Sequence, residues 1–202
     1  MDETGDSLIG GVVLAAGRST RFGESNKLLE AIDGTPLVTR AARTAVQSSL
    51  DEVAVVLGYD SDAVADALSA FDLPARYNDD YADGQSTSVR AGVEFAREAD
   101  WDAAVFLLGD MPFVETRTLD RLLDAYRAGE GDIVAPRYEG KRGNPVLFDA
   151  RHFDALGNVD GDRGGRELVM EHDGTRFVDV DDAGVLRDID SEADLRTYVA
   201  EE

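Results

Sequence analysis

The chain reads as an α/β protein in which a mainly parallel sheet is covered by helices on both faces. Three observations lead there. Short uninterrupted apolar runs, 12–16 and Ala103–Leu108, have the composition of strands buried on both sides. They alternate with stretches whose apolar residues recur at helical spacing. The two richest polar loops follow Leu14 and Leu108, at the carboxyl ends of apolar strands, where sheets of this kind bind ligands.

Taken in order, residues 8–14 form the first strand, broken by Gly10 and Gly11, and a Gly/Ser/Arg loop runs on to Asn26. Pro36 opens a helix carrying Leu37, Ala41, Ala42, Ala45 and Val46 on one face. A strand over 53–57, a helix over 61–71 and a short strand near Ala75–Tyr77 follow. Val89, Val93 and Ala96 mark a helix over 86–99, preceding the strand Ala103–Leu108. Thr116–Arg127 is a helix that turns Leu119, Leu122 and Leu123 to the core. Residues 133–135 and 145–148 read as strands joined by the charged loop 137–144, and 163–172 as a helix. Late strands are expected at 177–180 and 185–189, before a last helix that Ser191 caps with Asp194 three residues on.

Composition narrows the function. A length of 202 residues suits one domain, 1–202, with a full core, and 43% hydrophobic residues is ordinary for a globular chain. No apolar run approaches the ~20 residues that span a bilayer. The acidic start MDETGDS is neither a secretory nor a transit signal, so a cytoplasmic location is expected. Absence of cysteine removes disulfides, thiolate metal sites and thiol nucleophiles. His152 and His172 have no recognisable ligand spacing, so an ordinary zinc site is not expected. No G-x-S-x-G elbow accompanies them, which argues against a Ser/His/Asp hydrolase. Trp101, just before an apolar strand, reads as packing.

With 42 acidic and 20 basic residues, the net charge is −22, and the acids are spread along the whole chain. That spread fits a surface adapted to a salty cytoplasm, where the Debye length is ~3 Å at 1 M. It is the opposite of the basic footprint that nucleic acid requires. Basic residues are therefore informative, and only Lys27 and Lys141 are lysines.

The loop Leu14-Ala15-Ala16-Gly17-Arg18-Ser19-Thr20-Arg21-Phe22-Gly23 leads to Lys27-Leu28-Leu29. Small residues and glycines let backbone N–H groups converge on phosphate oxygens, and Arg21 and Lys27 supply charge for a triphosphate. An ordinary βα turn is the competing reading, but such turns are shorter and less basic. The loop is neither a dinucleotide G-x-G-x-x-G nor a Walker A sequence.

Leu14-Ala15-Ala16-Gly17, Ser19, Arg21, Gly23 and Lys27-Leu28-Leu29 resemble the L-A-A-G-x-S-x-R-x-G-x-x-x-K-L-L signature of the MobA-like nucleotidyltransferase family, and within it the molybdenum cofactor cytidylyltransferases most. The resemblance continues through ordered motifs to Leu195. It implies a Rossmann-like three-layer α/β sandwich of the nucleotidyltransferase and nucleotide-diphospho-sugar transferase type. Residues 8–112 would hold the NTP, and 113–202 the acceptor and a second metal ligand. It also implies that the loop wraps the NTP phosphates and that Arg21 and Lys27 stabilise charge on the α-phosphate and the departing pyrophosphate.

Gly109-Asp110-Met111-Pro112 ends the most apolar segment. A carboxylate there suits Mg²⁺, a hard cation that prefers oxygen, or simply starts a turn. The family carries G-D-x-P at this point, which implies that Asp110 binds the metal, Mg²⁺ or Mn²⁺ in its place. On a strand, Asp188 and Asp190 would project to one face. The segment resembles the family's late D-[IV]-D-T-P-x-D, with Ser191 and Glu192 replacing threonine and proline, and so implies Asp190 as second ligand; a helix cap is the other reading.

Asn78 and Gly84-Gln85-Ser86-Thr87-Ser88 precede a helix whose free N–H groups suit an anion or a base edge, or belong to a serine N-cap. By resemblance, Gly84, Ser86 and Ser88 lie against the nucleotide, with Asn78 beside them. Lys141-Arg142-Gly143-Asn144-Pro145-Val146 is a second basic cluster; related cytidylyltransferases show G-H-P-V here, so Asn144 departs from the pattern and opens the identity of the acceptor. The run from Gly161 to Arg166 resembles the family's G-D-x-G-x-R on the acceptor side, and equally a glycine-rich turn with solvated charges. Gly143, Asn144, Pro145, Arg163 and Arg166 are thereby the acceptor residues.

The implied reaction transfers CMP from CTP to the phosphate of a molybdopterin-type acceptor. Leu14-Ala15-Ala16-Gly17, where GTP-using members tend to carry L-A-G-G, favours CTP over GTP. A guanylyltransferase, a transferase for another small phosphate, and a non-catalytic partner that delivers cofactor to a molybdoenzyme remain the alternatives. No nucleic-acid or membrane partner is expected.

Overall fold

The structure, a computed structural model, describes residues 7–18, 22, 26–158 and 164–199. Its centre is β1 (Ile9–Ala15), where side chains alternate between two cores. Ile9, Val13 and Ala15 face a core shared with α1 (Leu37–Val46), α2 (Ser61–Leu68) and α4 (Thr116–Arg127). Val12 and Leu14 face the other, shared with α3 (Gln85–Glu98), α5 (Phe153–Gly157) and α6 (Gly164–Glu171). Gly10 interrupts the apolar run because a Cβ there would lie 2.2 Å from the ring of Trp101. Trp101 is buried and its Nε1 donates to Glu52 at 2.8 Å, so it is a packing residue.

On either side of β1 run β4 (Glu52–Leu57) and β6 (Ala103–Leu108), both parallel to it; β5 (Ala75–Tyr77) continues beyond β4. Past β6 come β9 (Val146–Asp149), β7 (Ile133–Tyr138) and β10 (Thr175–Asp179), giving the order β10-β7-β9-β6-β1-β4-β5. The sheet is mostly parallel, as the sequence implies. The exceptions are β9, antiparallel to both neighbours, and β8 (Lys141–Arg142), which forms a hairpin with β7. A second hairpin, β2 (Ala31–Ile32) with β3 (Thr35–Pro36), leads into α1. Ser191 and Asp194 cap α7 (Glu192–Val199) reciprocally: Asp194 N donates to Ser191 Oγ and Asp190 N to Asp194 Oδ2, each at 3.2 Å. No helix among the described residues is long and apolar enough to cross a membrane.

Two local readings are corrected. Helix α3 is capped by Gly84, at φ 112°, and not by a serine side chain. The strand expected over 185–189 does not form; Ala183–Leu186 is a 3-10 turn and the residues after it are extended without a ladder. The cause is Asp182, which is buried and accepts from Gly184 N at 2.8 Å, Glu115 N at 2.9 Å and Thr118 Oγ1 at 2.6 Å. These bonds close the turn and pin it to the start of α4. Asp182→Ala leaves three donors without this acceptor, and is expected to cost on the order of 3 kcal/mol. Urea unfolding measures this, and a loss near zero would show that the turn holds without Asp182.

Candidate functional site

Three segments distant in sequence converge beyond the carboxyl ends of β1 and β6. The first is a 3-10 turn over Lys27–Leu29, capped by Asn26 Oδ1 accepting from Leu28 N at 3.1 Å and anchored by buried Leu28. The second is the turn after β6, where Gly109 N donates to Leu14 O at 3.0 Å and ties the two strand ends together. The third is the extended stretch before α7. Ile189 there is fully buried against Phe22, Ile32 and Leu37, and its N–H donates to Asp110 O at 3.0 Å. With Ile189 turned inward, Asp188 and Asp190 on either side of it line the cleft.

Lys27 is the centre of this arrangement. Its Nζ donates to Asp110 Oδ2 at 2.6 Å and to Asp190 Oδ1 at 2.9 Å. Burial alone would lower the Lys27 pKa, but Asp110 and Asp190 outweigh it and hold the ammonium above its ordinary range. Burial, helped by the charges of Asp190 and Asp110, pushes the Asp188 carboxyl up, against the pull of Lys27. Asp110 Oδ1 is buried without a hydrogen-bond partner. A buried carboxylate oxygen with no donor, beside further carboxylates, is a donor set that fits a hard cation.

The cleft has a volume of about 580 Å³, and Leu14, Ala16, Gly17, Gly84 and Ser88 contribute to its walls. Asn78 does not line it: its Nδ2 donates to Thr87 Oγ1 at 2.9 Å and Ser88 Oγ at 3.0 Å, bracing the loop before α3 from behind. Leu14, Gln85 and Leu108 also border an adjoining pocket of about 270 Å³, lined further by Ser86, Arg142, Asn144 and Arg166. Among the described residues Arg142 pairs with no carboxylate, and its Nε is buried without a hydrogen-bond partner. Burial first, and then the charge of Arg166, pushes the Arg142 pKa down, so the pair favours an anion between them.

Gly143 packs against Val185, where a Cβ would stand 2.5 Å from the carbonyl oxygen. Pro145 faces Ala41 and Met111 on the other side of the sheet. Neither lines this adjoining pocket; both shape the turn that presents Arg142 and Asn144. Ser19, Arg21 and Arg163 lie outside the described residues. Arg142, a member of the basic cluster with no role legible in the sequence, gains one from its place in the pocket, and Arg18, Tyr81 and Gln85 line the cleft without a sequence motif that marks them. An arginine in a β-hairpin of so acidic a chain was the available signal for Arg142.

A family model described as a MobA-like NTP transferase domain matches residues 11–175. The purine catabolism protein PucB of Bacillus subtilis (strain 168) is 30% identical over 190 residues, covering 90% of this chain and 91% of that protein. The nicotine blue oxidoreductase of Paenarthrobacter nicotinovorans is 29% identical over 199 residues, covering 95% and 96%. The crystal structure of Rv0371c from Mycobacterium tuberculosis H37Rv superposes with a TM-score of 0.84 at 30% identity, over 96% of this chain and 98% of that one. The same protein has also been crystallised in complex with manganese, with a TM-score of 0.82 and 30% identity over 97% and 100% of the two chains. With the family model matched over most of its length, the chain belongs to the MobA-like nucleotidyltransferase family.

Proposed function

We propose that the protein transfers CMP from CTP to the phosphate of a molybdopterin-type acceptor and releases pyrophosphate. The observation that carries this is the Lys27 ammonium held between Asp110 and Asp190, in a cleft that opens onto the Arg142–Arg166 pocket. The cleft suits a nucleoside triphosphate and the pocket suits the phosphate of the acceptor. An acceptor phosphate oxygen attacks the α-phosphorus; the bond to the bridging oxygen of the β-phosphate breaks, and pyrophosphate leaves with the electron pair. The nucleophile is already anionic, so the protein's contribution is positioning and charge neutralisation. Lys27 and the N–H groups of the glycine-rich loop meet the triphosphate, while Arg142 and Arg166 orient the acceptor. Asp110 and Asp190 would hold Mg²⁺, or Mn²⁺ in its place, whose charge when bound offsets that of the phosphates.

A thermal-shift panel of ATP, CTP, GTP and UTP with Mg²⁺, followed by turnover of labelled CTP with molybdopterin, tests this. CTP is expected to give the largest shift and to yield a dinucleotide and pyrophosphate. Binding without turnover would favour a delivery partner for a molybdoenzyme; turnover only with another phosphorylated acceptor would overturn the acceptor assignment.

Base choice is tied to Ala16, which is 2% exposed and lines the cleft. By the family resemblance a methyl group here goes with CTP and a glycine with GTP, so Ala16→Gly is expected to erode the preference for CTP. Comparing kcat/KM for CTP and GTP in both proteins decides it, and a wild type faster with GTP would reverse the assignment.

Of the late aspartates, Asp190 shares Lys27 with Asp110, which brings its carboxylate beside that of Asp110. Asp190→Ala is therefore expected to raise the Mg²⁺ concentration needed for half-maximal rate more than Asp188→Ala. Equal small changes in the two titrations would return both residues to a capping or surface role.

A further inference from the structure

The chain has only two histidines, and the fold brings both to one carboxylate. Asp132 precedes β7, His152 ends the 3-10 turn after β9, and His172 follows α6. Because β9 is antiparallel to β6 and β7, this cluster lies at the end of the strands opposite Asp110. His172 Nε2 is 2.7 Å from Asp132 Oδ1, and His152 Nε2 is 3.3 Å from Asp132 Oδ2. One ligand atom from each residue falls within 4.8 Å of the others. The rings meet edge to face with centroids 4.6 Å apart.

His152 is 8% exposed, and its buried Nε2 meets Asp132 Oδ2 at 3.3 Å without hydrogen-bond geometry. A buried polar atom of this kind requires a physical explanation, and a cation shared with Asp132 and His172 provides one. We propose that Asp132, His152 and His172 form a second metal site, separate from the phosphate cleft, for a borderline first-row cation of the Zn²⁺ type.

The donor set makes the choice of ion. Two imidazoles and one carboxylate suit Zn²⁺ and its neighbours, whereas Mg²⁺ prefers oxygen alone. Donors about 2.0–2.2 Å from a tetrahedral Zn²⁺ stand roughly 3.3–3.6 Å apart; the Asp132–His152 separation of 3.3 Å matches, and His172 Nε2, at 2.7 Å from Asp132 Oδ1, has to draw back on binding. The backbone closes in as well: a Cβ on Gly174 would lie 2.5 Å from Asp132 Oδ1 and 2.7 Å from His172 Nε2. The other cation facing Asp132 is Arg151, an exposed side chain with Nη1 at 3.5 Å. Through His172, a metal here fastens the end of α6 to the sheet, and the same helix carries Arg166 into the acceptor pocket.

The test uses chelator-stripped full-length protein with Asp110→Asn and Asp190→Ala, so that the cleft does not compete. With two histidines, the ¹H–¹⁵N ring spectrum resolves each imidazole. Zn²⁺ is expected to bind at one equivalent, move both Nε2 signals together and raise the Tm, while Mg²⁺ does neither. His172→Gln, at a half-buried position, is expected to abolish the Tm rise and the shift of His152. Unmoved ring signals on adding Zn²⁺, or equal Zn²⁺ binding by His172→Gln, would overturn the proposal and reduce the cluster to a His172–Asp132 hydrogen bond with His152 packed beside it.

Discussion

Asp110→Asn is expected to abolish metal-dependent turnover while the protein keeps its melting profile. The asparagine has the same size, and its amide oxygen still accepts from Lys27, so the local geometry survives. The backbone oxygen that receives Ile189 N is untouched. What disappears is the negative charge at the end of β6, including the buried Oδ1 that has no donor of its own. A neutral amide oxygen is a much poorer ligand for a hard divalent cation than a carboxylate. Steady-state rates across an Mg²⁺ titration, with circular dichroism as the folding control, provide the measurement. Near-normal activity in the variant would remove Asp110 from the proposed metal site.

Lys27→Ala is expected to lower kcat by on the order of 10²–10³, the size typical of losing one preorganised electrostatic contact. The lysine is half-buried, rigidly placed by the Asn26 cap and held charged by two carboxylates, so its field at a phosphate is strong and costs little reorganisation. CTP binding should weaken less, because the loop N–H groups remain. Removing the ammonium also leaves Asp110 and Asp190 without their shared counter-charge, so the apparent Mg²⁺ affinity should hold or increase even as kcat falls. That opposition distinguishes loss of a catalytic cation from general damage to the site. Lys27→Arg keeps the charge but changes its shape and reach, and recovers activity only if placement is undemanding. A rise in KM for CTP with kcat unchanged would assign Lys27 to uniform substrate binding. No change in either would end the phosphate-loop reading.

Much of the scaffold was legible from local pattern. Ala103–Leu108 and Thr116–Arg127 fall where apolar runs and helical spacing place them, because a strand buried on both faces and an amphipathic helix each leave a periodic signature. The Ser191–Asp194 cap was equally local, spanning one helical turn. The segment over 185–189 misled for the same reason: Val185, Leu186 and Ile189 read as strand, but the buried Asp182, bonded to α4 across the fold, chose a 3-10 turn instead. Asn78 shows a related limit, since composition near a helix start does not reveal which way a side chain faces.

By itself, then, the sequence determined the layers, the glycine-rich loop at the end of the first strand and the carboxylate at the end of the central one. These depend on residues within a turn or two of one another. Only the tertiary structure decided that Lys27, Asp110 and Asp190 touch, that Arg142 joins Arg166 in one pocket, and that His152 and His172 meet at Asp132. Those meetings follow from strand order and from β9 running against its neighbours, which bring distant segments to one end of the strands or the other. Residue spacing along a chain encodes which face a side chain takes, but the edge at which two segments meet is set by how the strands are ordered and directed.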